Sequence, residues 1–112
     1  MDSSQVRSLF ERLVYQVVIE SNSEALKSCV VPAQYESETM TLVVSEDLCN
    51  GDMVRASFAA LLHYDYNHKE VSTTLFTCRE IAAREYRHLG AEDIRFLKKF
   101  LEDKIFQQRF IF

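Results

Sequence analysis

Glycine and proline, the residues that most often interrupt regular structure, occur only as Gly51, Gly90 and Pro32 in a chain of 112 residues. So few breaks favour long regular elements joined by few loops. An apolar fraction of 47% beside 27% charged residues belongs to a folded globular protein, and the length suits a single domain over 1–112 whose core needs no staples.

Val6, Leu9, Phe10, Leu13, Val14 and Val17 recur at the spacing of an amphipathic helix, with Ser3 or Ser4 available as its N-cap. Ser21, Asn22 and Ser23 break that pattern, and a short helical turn over Ser23–Lys27 precedes Pro32. From Glu38 to Glu46 the β-forming run Thr39-Met40-Thr41-Leu42-Val43-Val44 predicts a strand. Asn50-Gly51 is a turn signal, and Asp52 is placed to cap a helix running to about Tyr66. That helix is apolar almost all round, which predicts burial on two sides.

Glu70 to Cys78, rich in β-branched residues, predicts a second strand and hence a strand-helix-strand unit with parallel pairing. Ile81, Ala82, Tyr86 and Leu89 follow in helical spacing, with Gly90 expected as the C-cap. A last helix opens near Ala91, with Glu92 and Asp93 suited to its first turn, and reaches about Gln108. The fold class expected is therefore α+β: a small sheet of two to four strands packed against about four helices. Two strands alone leave edges unpaired, so Val30-Val31, the Phe110–Phe112 tail or a second chain is needed to complete the sheet.

The chemistry-bearing residues are sparse. His63, Asp65 and His68 lie within six residues of one another and have the side chains of a metal or acid/base site, yet the five-residue interval puts the two imidazoles on different helix faces. Polar residues at a helix C-terminus account for them more simply. Cys29, Cys49 and Cys78 are odd in number and lack C-x-x-C spacing, so reduced thiols are expected and, with no secretory leader or membrane-length apolar run, a cytoplasmic or nuclear location. Cys49 precedes a helix start, where a thiol can be activated, but no base is evident beside it. No phosphate loop, dinucleotide fingerprint or nucleophile elbow is present, so no enzyme activity, cofactor or metal is expected.

Charge and surplus apolar surface remain. The net charge of −4 disfavours a phosphate-binding surface, although residues 79–112 carry eight Lys or Arg against six Asp or Glu. Arg95, Lys98 and Lys99 on the last helix are the candidates for a nucleic-acid contact, with Glu92, Asp93, Glu102 and Asp103 opposing it. The same helix carries more apolar surface than one packing face needs. Phe96, Phe100, Phe106, Phe110 and Phe112 make an aromatic cluster that a small core encloses with difficulty, and such a cluster marks a partner surface. The function expected is a non-enzymatic protein–protein interaction module, an adaptor, assembly or regulatory subunit, working as a homodimer.

Overall fold

The computed structural model describes residues 1–20, 33–45 and 53–108, with side chains as far as Ile105. Among them are α1 (Ser3–Leu13), β1 (Gln16–Glu20), β2 (Ala33–Glu36), β3 (Thr41–Ser45), α2 (Met53–His68), α3 (Leu75–His88) and α4 (Ala91–Gln108). The strands form a mixed sheet of order β1-β3-β2 packed against the helices, the small α+β fold expected.

Helix α1 starts at Asp2 rather than at Ser3 or Ser4. The Asp2 carboxylate accepts the Gln5 backbone N–H at 2.8 Å, and the Gln5 side chain accepts the Asp2 N–H at 2.9 Å. This reciprocal pair satisfies two free donors, which a serine cap alone does not. The helix stops at Leu13, with Val14 already extended. Val17 is fully buried, but it enters the core from β1 and not from the helix. Its spacing from Val14 satisfies a helical period by coincidence, whereas the β-branched run Val17-Val18-Ile19 favours a strand.

Strand β3 is central, parallel to β1 in the register Val17↔Leu42 and antiparallel to β2 in the register Tyr35↔Leu42. Thr41 to Val44 are all buried, consistent with a strand that is apolar on both faces. Leu42 and Val44 join Val17 and Ala33 in the main core beneath the helices. Helix α2 packs on α1, α3, α4, β2 and β3, so its all-round apolar character serves several neighbours. Phe58, Leu61 and Leu62 on it are fully buried.

The expected second strand over Glu70–Cys78 is absent, and with it the expected strand-helix-strand unit. Thr74 instead caps α3 by accepting the Thr77 N–H at 3.1 Å, and Cys78 already belongs to that helix, its N–H donating to the Thr74 carbonyl. Threonine has high strand propensity but also an oxygen that competes for free backbone donors, and here the cap prevails. Gly90 is not the C-cap of α3. Leu89 takes that place, while the Gly90 carbonyl accepts the Ile94 N–H in the first turn of α4 without a positive φ.

Helix α2 ends in a Schellman motif. Val71 N–H donates to the Tyr66 carbonyl at 2.8 Å and Glu70 N–H to the Asn67 carbonyl at 3.1 Å, with Glu70 at φ 62. A side chain in this left-handed conformation costs energy that glycine avoids. Glu70→Gly is expected to raise stability by about 0.5–1 kcal/mol, read as a higher urea midpoint at unchanged slope. A lower midpoint would count against the motif.

The turn at Asn50-Gly51, the Asp52 cap, the helical turn over Ser23–Lys27, the Val30-Val31 strand, Cys29, Cys49 and the tail from Arg109 to Phe112 lie outside the described residues.

Candidate functional site

His63, Asp65 and His68 do not converge. Steps of two and five residues along a helix rotate a side chain by about 200° and about 140°, and the contacts follow suit. Asp65 is buried and accepts Arg12 of α1 at 3.3 Å and Lys69 at 3.0 Å, so it ties α1 to the end of α2. His68 stacks on Tyr64 with ring centroids 5.6 Å apart. His63 lines a groove shared with residues of β2. No cluster of three metal-ligating side chains occurs among the described residues.

Cys78 is buried, and burial pushes its thiol up from the ordinary value, with the Thr73 hydroxyl 3.8 Å away working weakly in the other direction. Such a thiol stays protonated and is a poor nucleophile. Tyr35 is likewise raised, by burial and then by Tyr64, and its hydroxyl donates to the Leu13 carbonyl. The fold prefers the protonated form of both acids. Their contribution is therefore complete below the ordinary thiol value of 9.0 and is lost as pH rises from there through the raised value of the folded state, the phenol following from 10.0 upward. Thermal midpoints are expected to decline from pH 9.0 upward, and Cys78→Ala to flatten the first part of that decline. An unchanged slope in this variant would assign it elsewhere.

The phenylalanines of α4 divide. Phe96 and Phe100 are half-buried against the core, Phe96 beneath the Arg7 guanidinium at 4.2 Å and Phe100 beneath the Lys104 ammonium at 5.5 Å. Arg7 also donates twice to Asp93, at 2.9 and 2.7 Å, which clamps α1 to the first turn of α4. The side chains of Phe106, Phe110 and Phe112 lie outside the described residues. Arg95, Lys98 and Lys99 are exposed, as are Glu92, Glu102 and Asp103 on the same helix.

Of two concavities among the described residues, the more enclosed belonged to no sequence expectation. A groove of about 410 Å³ runs between β2 and α2. Its strand wall is Ala33, Gln34 and Tyr35, and its helix wall is Ala60, His63, Tyr64 and Asn67, with Leu75 at one end. The helix residues follow the i, i+3, i+4, i+7 stripe that defines one face. Neighbouring strand residues point to opposite faces of a sheet, so a space reached by Gln34 as well as by Ala33 and Tyr35 opens at the strand's edge. β2 is a terminal strand, and its outer edge has no hydrogen-bond partner among the described residues. Tyr35 and Tyr64 lie with ring centroids 4.9 Å apart, and Asn67 is held by donating to the His63 carbonyl at 2.7 Å. The side-chain polar groups of Gln34, His63 and Tyr64 are half-buried and make no hydrogen bond among the described residues.

The helix stripe was present in the sequence as Ala60, His63, Tyr64 and Asn67, but its meaning depends on what stands opposite. A second hollow, between α1 and the start of α4, is lined by Arg7 and Arg12, whose charges are already engaged by Asp93 and Asp65. Comparison with known protein families, curated proteins and solved structures finds no match.

Proposed function

We propose that this protein is a non-enzymatic interaction module that holds an extended segment of a partner protein in the groove between β2 and α2. The observation that carries this is the unpaired edge of β2 facing one stripe of α2 across an open groove. An added strand would take its main-chain hydrogen bonds from that edge and place alternate side chains between strand and helix. Seven residues of α2 span about 10 Å, enough for about three residues of extended chain. Ala33, Ala60 and Leu75 offer a small apolar seat, while Gln34, His63 and Tyr64 have hydrogen-bonding capacity to spare. Among the described residues no Asp, Glu, Lys or Arg lines the groove, so the seated residues should be uncharged and partly aliphatic.

Selection from a displayed library of random peptides tests this. Uncharged segments with an aliphatic residue should be enriched, and the selected peptide should shift the backbone amide resonances of residues 33–36. Asn67→Arg, at an exposed position of the groove wall, should weaken binding about tenfold, about 1.4 kcal/mol. No enrichment, or binding indifferent to Asn67→Arg, would overturn the proposal. The nucleic-acid alternative rests on Arg95, Lys98 and Lys99, but Glu92, Glu102 and Asp103 share their helix and repel phosphate.

A further inference from the structure

The opposite border of the sheet is built differently. β1 is its other terminal strand, and its outer edge has no hydrogen-bond partner among the described residues. Natural edge strands are shielded by proline, charged side chains, bulges, extreme shortness or a covering helix or loop. Gln16-Val17-Val18-Ile19-Glu20 has no proline or glycine and a single charge, Glu20 at its end, and its pairing with β3 runs through all five residues without a bulge. Beside it, Tyr15 is 70% exposed and Met40 38%, and the two are joined by the bond from the Tyr15 N–H to the Met40 carbonyl.

From this border we infer that β1 pairs antiparallel with β1 of a second copy about a two-fold axis through Val18, making one sheet of order β2-β3-β1-β1-β3-β2. The segment is self-complementary about that residue. In this register Gln16 faces Glu20 of the second copy, so a carboxylate meets a neutral amide instead of its own like charge. Val17 faces Ile19, continuing the apolar inner face, and Val18 faces itself on the outer side. Val17 shares the core with Leu97 and Leu101 of α4, and α4 packs on β1, so the two copies of α4 approach the same axis. This interface does not depend on the β2 groove and leaves it open.

The test joins mass to register. The intact chain should sediment at twice 13.1 kDa at roughly 100 µM and dissociate on dilution. Val18→Lys places two ammonium groups opposite each other and should yield a monomer with unchanged circular dichroism, because Val18 lies outside the buried core. Val18→Cys should form an intermolecular disulfide with itself under mild oxidation, whereas Glu20→Cys should need Gln16→Cys in the other copy. A wild-type monomer at that concentration would overturn the inference. So would a dimer indifferent to Val18→Lys, or a monomer that dimerises only when residues 109–112 are removed, since the chain's own end would then hold the edge.

Discussion

Phe58→Ala is expected to destabilise the protein by about 3–5 kcal/mol, the largest single-residue effect anticipated here. Phe58 is fully buried on α2, its ring 6.1 Å from that of Phe10 on α1. Helix α2 packs against three other helices and two strands, so the vacated volume is bounded by elements that are each held elsewhere. Such a site collapses poorly, and the cavity cost adds to the lost burial of the ring. Against a total stability of about 5–15 kcal/mol, the variant should stand near the limit of folding, with a much lower urea midpoint. Phe76→Ala is the matched control, because Phe76 is 67% exposed, and it should change stability by less than about 0.5 kcal/mol. Equal effects at the two positions would contradict a core centred on α2.

An asymmetric result is expected around Asp65. Its side chain is only 9% exposed, whereas those of its partners Arg12 and Lys69 are 55% and 60% exposed. Removing the carboxylate releases two cations into water, where they are readily solvated. Removing both cations strands a buried negative charge. Asp65→Asn should therefore cost about 1 kcal/mol and the double change Arg12→Met with Lys69→Met about 2–3 kcal/mol, the latter reduced by the residual solvent access of Asp65. Urea titrations of the three proteins at neutral pH measure the order. If Asp65→Asn proved the more damaging, the pair would be acting through hydrogen bonding of the carboxylate and not through its charge.

The correct and incorrect sequence expectations follow from which periodicity was unambiguous. The α4 boundaries follow from a long helical pattern with Glu92 and Asp93 in its first turn, and β3 from a run of β-formers. The strand opens at Thr41 and not at the expected Glu38, because Thr39 and Met40 form a turn, Met40 at φ 51. Val14 and Val17 fell at a helical spacing by coincidence, which concealed β1 at the end of an apparent helix. Glu70–Cys78 carried strand propensity, but Thr74 spent its hydroxyl on a cap and Glu70 took the left-handed turn that ends α2. β2, with Ala33, Gln34, Tyr35 and Glu36, is too short and too mixed to announce itself. The groove was hidden for the same reason, since one of its walls was an unrecognised strand.

The amino-acid sequence by itself determined that this chain folds as a small α+β protein around an apolar helix, because burial patterns and the scarcity of glycine and proline are local properties. Tertiary structure alone decided that His63, Asp65 and His68 diverge, that β1 and β2 become the two borders of the sheet, and that Gln34 and Tyr64 share a groove. Those outcomes depend on pairing between residues distant in the chain, and strand order and edge exposure are fixed only when all three strands compete for the same neighbours.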